Sequence, residues 1–249
     1  MVAGAAARDA VARAHRLPGL RVGLHVTLVE GRPVLPPSQI PDLVDTTGCF
    51  RSDMVRVAFE IFFRPSARRQ LRAEIEAQFA AYRATGLALD HVNAHKHFHL
   101  HPTIANEIMA IGRSYGMRGL RVPAEPSSVL AKVETGRARN APYDSPISPL
   151  ITPWALWLRR RARRAGLSCP DAVFGLAWSG AMTPSRLVGV IDHLPQGRSE
   201  IYLHPATRGD FTGQAPGYRY AEEFAALVAP TARTAVRNAD IALGGYVDF

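Results

Sequence analysis

The chain has 249 residues, 47% hydrophobic and 20% charged, which suits one large domain with a full core and excludes a disordered or fibrous protein. Its formal net charge is +9 and its pI near 10.2, carried almost wholly by arginine because Lys96 and Lys132 are the only lysines. That excess fits a phosphate-rich or anionic membrane partner, and equally an arginine-preferring genome.

In chain order, Ala3 to His15 has helical periodicity and Pro18-Gly19 ends it. Leu20 to Leu28 alternates as a strand does, and Gly31 to Arg51, rich in Pro and Gly, reads as a long loop. Met54 to Phe63 and Ala67 to Ala84 follow as helices, and Leu87 to Val92 as a strand running into a group of histidines. Pro102 opens a helix over Thr103 to Tyr115. Gly119 to Val122 is a short strand, Pro123 to Pro149 a second long loop, and Trp154 to Arg164 a helix. A strand over Ala172 to Ala177, a helix over Pro184 to His193 and a strand over Glu200 to Leu203 lead to His204-Pro205. Tyr220 to Ala239 is helical, and Ile241 to Leu243 closes the set. There is no repeat and no low-complexity linker, so residues 1–249 are expected to form a single domain. Strands alternating with helices suggest parallel βαβ units, with the polar motifs at strand C-terminal ends.

The strongest chemical signal lies between His91 and His101, where five of the nine histidines fall within eleven residues. Histidine is the commonest neutral metal ligand and the usual proton carrier near neutral pH. If His95, His97, His99 and His101 stayed on one extended strand they would be spaced about 6.7 Å apart, twice the rise per residue. Metal ligands sit about 2 Å from the ion, so one or two are ligands and the others have different roles. A metal-sticky surface loop is the plainer reading of the cluster. His25, amid Val22, Leu24, Val26 and Leu28, reads either as a core histidine or as a ligand. His204, directly after a short apolar strand and before a proline, is posed as a general acid or base.

The passages GLHVTLVEG (23–31), DHVNAHKHFHLHPTI (90–104), LRVPAEP (120–126) and SEIYLHP (199–205) resemble the YdjC-like carbohydrate deacetylases, most of all their hopanoid-biosynthesis-associated branch. The resemblance runs from the first residue to about Gly213. It implies an α/β fold, a distorted (β/α) TIM-like barrel, and one divalent metal ion (Mg, Zn or Co) held by an aspartate and two histidines, here His25 and His95. It also implies His204 as the catalytic proton donor and Arg121, Glu125 and His97 as substrate-binding residues. An ordinary loop ion pair is the plainer reading of Arg121 and Glu125. Members begin with a strand carrying an Asp-Asp pair, and the resemblance starts here after that strand. The expectation is therefore that the true start lies upstream of Met1, and that the chain as given binds metal weakly and turns over little. Asn93 stands where some relatives have aspartate, and Asp90 would substitute only if it pointed the right way.

The implied reaction is removal of acetyl from an N-acetylated amino sugar, with a hopanoid glycolipid as the implied substrate. Trp154 and Trp157 beside Arg160 and Arg161 suit a membrane surface, or else an amphipathic helix packed on the body of the protein. A peripheral membrane contact and a homodimer are compatible with the sequence. Nucleic acid is not the expected partner, since no RNP-type aromatic motif, zinc finger or KH-like loop is present. No apolar run of about 18 residues spans a membrane and no apolar stretch follows a basic start, so the expected location is the cytoplasm or the inner membrane face. Cys49 and Cys169, isolated from each other, agree with a reducing compartment. Competing functions are a catalytically impaired remnant, a basic binding protein, and a metal-dependent hydrolase of another amide or ester.

Overall fold

The computed structural model describes residues 1–134, 152–211 and 213–249. Its contacts divide the chain into two compact units, one of residues 1–122, 157–169 and 244–249, the other of residues 123–156 and 170–243.

The first unit is built around parallel strand pairing. β1 (Val22–Val26) lies beside β2 (Leu89–Ala94), with His25 opposite Asn93. Backbone bonds continue the pairing: Val92 N–H donates to the Gly119 carbonyl at 2.9 Å, and Leu120 N–H to the Ser168 carbonyl at 2.9 Å. Parallel neighbours need a crossover, supplied here by α2 (Met54–Phe63) and α3 (Pro65–Arg83) between β1 and β2. α3 starts on a proline at its first position and turns Ala67, Leu71, Ile75, Phe79 and Tyr82 inward. These pack with Leu24, Val92, Ile104, Ile108 and Leu120, all fully buried.

Two polar residues of α3 are buried for a reason. Gln78 pairs with both backbone groups of Thr27, at 2.9 and 2.7 Å, and Glu74 accepts from the amides of Val34 and Leu35 at 2.9 and 3.0 Å. A loop has no ladder to satisfy its backbone, so these side chains stand in for one and fix the chain leaving β1.

Gly23 is where β1 touches β2 most closely. A Cβ there would sit 2.6 Å from the His91 ring and 2.7 Å from the His91 carbonyl oxygen, which belongs to a strand and cannot step aside. Gly23→Ala is expected to destabilise the protein by about 2–3 kcal/mol in chemical denaturation. An unchanged denaturation midpoint would show that the strands separate freely.

In the second unit β3 (Ala172–Phe174) pairs in parallel with β4 (Ser199–Ile201), and Val173 N–H donates to the Ala124 carbonyl at 2.9 Å. α5 (Ser127–Glu134), α7 (Pro184–Asp192), α8 (Tyr220–Val228) and α9 (Pro230–Asn238) cover a core of Leu130, Phe174, Trp178, Met182 and Val190.

The mixed, parallel α/β class agrees with the sequence expectation, whereas regular pairing among the described residues is confined to two two-stranded sheets and isolated bridges. Several element boundaries differ. The expected loop from Pro123 contains α5, because Val129 and Leu130 bury against α7, and residues 135–151 of that loop lie outside the described residues. The expected helix from Tyr220 to Ala239 is two helices, since Pro230 cannot donate a helical bond and holds Ala229 extended at ψ 134°. Gly119 to Val122 forms bridges rather than a strand, and Ile241 to Leu243 forms none. The strand from Ala172 stops at Phe174 because Gly175, at φ 109°, turns the chain out of extended geometry.

Candidate functional site

His25 and His95 come together at the C-terminal ends of β1 and β2, their ring centroids 5.7 Å apart and edge to face. The parallel register does this: pairing His25 with Asn93 puts the next outward turn of β2 beside it. Beyond Ala94 the chain leaves the strand at once. Residues 95–100 form a tight 3₁₀ segment with Lys96 and His97 in the left-handed region, at φ 51° and 54°. The histidines therefore do not share one strand face, and the spacing for an extended strand does not apply. Glu30 is also left-handed, at φ 51°, and its carboxylate meets the Lys96 ammonium and, at 3.5 Å, Nε2 of His95. Two non-glycine turns of costly geometry thus face each other through an ion pair.

Asn93 is buried between His25 and Arg121. With its amide turned so that the NH₂ group donates to His25 Nδ1 at 2.5 Å, its oxygen accepts from the Arg121 guanidinium at 3.3 and 3.2 Å. In the opposite orientation Nδ1–H donates to the amide oxygen, also at 2.5 Å, which leaves Nε2 as the lone-pair nitrogen that ligation needs. The remaining histidines divide by role. His99 is fully buried and its Nε2 donates to the Arg121 carbonyl at 2.7 Å, tying the cluster to the next segment. His97 is half-buried, its ring 6.2 Å from that of His99. His91 stacks on Tyr246 at 4.4 Å and bonds Asp90 at 2.9 Å. Asp90 in turn accepts from the amide of Tyr246 at 3.1 Å, so it anchors the last residues of the chain and does not point at the histidine pair.

His204 and Glu125 lie in the second unit, His204 three residues after β4 and Glu125 next to Ala124, whose carbonyl accepts from Val173 of β3. Both Glu125 oxygens are occupied by three successive backbone amides, those of Gly175, Leu176 and Ala177, at 2.8, 3.1 and 2.8 Å. Burial raises the Glu125 pKa and those three bonds oppose the rise. The His204 ring is held between Tyr202 and Tyr218, 5.5 and 5.1 Å away, and its backbone amide donates to the buried carboxylate of Glu223 at 2.5 Å. Glu223 also accepts from Met182 N–H at 3.0 Å. Nothing in the sequence flags Glu223 or the Gln78–Glu74 pair, whose importance comes from partners far away along the chain. Glu30 carries one signal, its place in the GLHVTLVEG passage, eight residues after β1 begins. Of the membrane-surface candidates, Trp157, Arg160 and Arg161 are exposed and Trp154 is half-buried; the Arg161 guanidinium lies 5.4 Å from the Trp157 ring centre, while Ala155, Leu158 and Ala162 of this helix (α6, Thr152–Arg164) bury inward.

The sequence profile described as "YdjC-like protein" matches residues 1–238. The chain belongs to the YdjC-like family. Among curated relatives this YdjC-like chain is similar to a carbohydrate deacetylase of Mus musculus, 31% identical over 220 residues, covering 82% of this chain and 67% of the mouse protein. A carbohydrate deacetylase of Geobacillus stearothermophilus is 25% identical over 248 residues, covering 98% of this chain and 82% of the relative. One from Thermoanaerobacter pseudethanolicus is 22% identical, and the chain spans 61% of its length. A solved structure from Enterococcus faecalis, described as a candidate cellobiose-phosphate cleavage protein, superposes with a TM-score of 0.72 at 20% identity, over 100% of this chain and 85% of that one. That likeness establishes the fold.

The histidine pair of this YdjC-like site fits a divalent cation as two of its ligands, since both rings are imidazoles kept neutral by burial. No group of three His, Cys, Asp or Glu able to hold a metal occurs among the described residues. Burial is the main cause that lowers the His25 pKa to about 3 from its ordinary 6.5, with the Asn93 bond opposing it. Between those values the unfolded chain binds a proton that the folded chain refuses. Stability is therefore complete above pH about 6.5 and is lost as pH falls toward about 3. A urea midpoint that drops across this window, and drops less in His25→Asn, is the expected result. Equal slopes for the two proteins would show that His25 is not the group responsible.

Proposed function

We propose that the chain is a metal-dependent carbohydrate N-deacetylase. The observation that carries this reading is the pairing of His25 and His95, rings 5.7 Å apart, at neighbouring strand ends of a chain in the YdjC-like family. The names of the curated relatives, carbohydrate deacetylases, supply an acetylated carbohydrate as the substrate class, and the sequence motifs supply the N-acetyl linkage. His25 and His95 would hold the ion, with Asn93 fixing the His25 ring. A divalent ion bound there supplies an acidified water and polarises the acetamide carbonyl. Arg121, held by His99 through its carbonyl, presents positive charge to the polar groups of the sugar. His204 takes the role its motif implies, delivering a proton to the departing amine, and Glu223 fixes its backbone for that task. A hopanoid-linked N-acetylglucosamine as substrate, the distorted TIM-like barrel and a cytoplasmic location at the inner membrane face belong to the same proposal, on the strength of the sequence motifs.

A second reading, a remnant without turnover, is favoured by one observation: Glu30, whose carboxylate lies 3.5 Å from His95, is engaged with Lys96. The experiment that separates the two is acetate release from N-acetylglucosamine oligosaccharides and from the hopanoid glycolipid, after chelation and after adding Zn²⁺, Co²⁺ or Mg²⁺. Release that vanishes on chelation and returns with metal is expected. Absent release would give the remnant reading the field, and metal-insensitive release would take the ion out of the reaction.

A further inference from the structure

α2 carries an apolar face that none of the described residues covers. Val57 and Ile61 turn into the core, as an amphipathic helix requires. The opposite side should be polar, yet Val55, Phe59, Phe62 and Phe63 lie there, 81%, 62%, 46% and 58% exposed. These positions recur at helical spacing and make one stripe. The rings also touch one another: Phe59 and Phe63 are 4.4 Å apart, Phe62 and Phe63 4.9 Å. Contiguous exposed aromatic surface of this kind marks a contact site.

The charge around the stripe says which kind of contact. From Arg51 to Arg72 there are six arginines, Arg51, Arg56, Arg64, Arg68, Arg69 and Arg72, against two carboxylates, Asp53 and Glu60. All but Arg51 are exposed. Glu60 is shared by Arg51 at 2.8 Å and Arg56 at 3.1 Å, Arg64 pairs with Asp42 at 3.1 Å and Arg72 with Glu107 at 2.6 Å, so six arginines meet four carboxylates and the excess is two positive charges. Arg68 bonds the carbonyls of Ile61 and Phe62 and so closes the end of the helix. A two-fold contact with a second copy would set these arginines against themselves. An anionic bilayer surface meets both features, with rings at headgroup depth and guanidinium groups on lipid phosphates.

We propose that the Val55–Phe59–Phe62–Phe63 face of α2, with its surrounding arginines, is a docking surface for an anionic lipid bilayer. The Phe62 ring lies 6.2 Å from His101, next to the histidine-bearing turn, so docking would bring that turn toward the lipid. The inference goes beyond the deacetylase reading and does not need it, because binding is measured without turnover.

The test is co-sedimentation of the full chain with vesicles of pure phosphatidylcholine and of phosphatidylcholine containing phosphatidylglycerol. Expected are binding to the anionic vesicles only, at least a tenfold loss in F59S/F63S, and a loss of about fivefold per arginine in R56Q and R69Q. Far-UV circular dichroism of the variants should be unchanged, since the altered side chains face outward. Equal binding to both vesicle types, or none to either, overturns the proposal. So does a concentration-dependent dimer that F59S/F63S abolishes, which would make a second copy the occupant. Binding that survives F59S/F63S and is lost on replacing Arg160 and Arg161 overturns it too, and moves the contact to α6.

Discussion

Replacing His95 with alanine is expected to lower acetate release on the order of a thousandfold, about 4 kcal/mol of transition-state stabilisation, while leaving the fold intact. His95 directly follows β2 and is only half-buried, so its removal opens no core cavity. On the proposed reading, what it removes is one of the two imidazoles that would hold a divalent ion. Steady-state kinetics alongside calorimetric Zn²⁺ titration check both parts. Turnover and metal affinity that survive His95→Ala would take His95 out of the site. His91→Ala is the informative contrast. That ring is stacked on Tyr246 and bonded to Asp90, so its loss should lower stability and leave metal affinity alone.

Glu125→Ala should destabilise the protein by about 3–5 kcal/mol, because three backbone amides of residues 175–177 lose a charged acceptor together. For a chain of this size that is a fall in melting temperature of roughly 10 °C. Glu125→Gln keeps one acceptor oxygen and the volume, and should recover part of the loss. Calorimetry of the two variants decides between the role in the fold and the sugar contact implied by the RVPAE motif. A raised KM with an unchanged melting temperature would support the sugar contact instead. The carboxylate is well suited to the structural task, since Gly175 is left-handed at φ 109° and its Cβ would collide with the Tyr202 carbonyl. The turn thus needs both a glycine and an acceptor.

By itself, the sequence determined what rests on local pattern. Met54 to Phe63 is helical over the residues its periodicity marks, Pro102 opens α4 (Pro102–Ser114), and the alternation around His25 is a strand. The histidine-rich motif, with GLH, RVP and LHP, named the family because those residues are close together along the chain. Local sequence was silent wherever the partner is distant. Only the parallel register of β1 and β2 put His25 beside Asn93 and His95, across 68 and 70 positions of chain. Only packing showed that Asp90 is spent on the amide of Tyr246, 156 residues away, and that Glu223 holds His204. The 3₁₀ turn at Lys96 and His97 escaped the pattern as well: left-handed non-glycine geometry costs energy locally and is repaid by Glu30, brought in from the end of another strand. The exposed rings of α2 show the same division. Periodicity identified the helix, but two apolar faces look alike in sequence, and only the fold decided which one is buried.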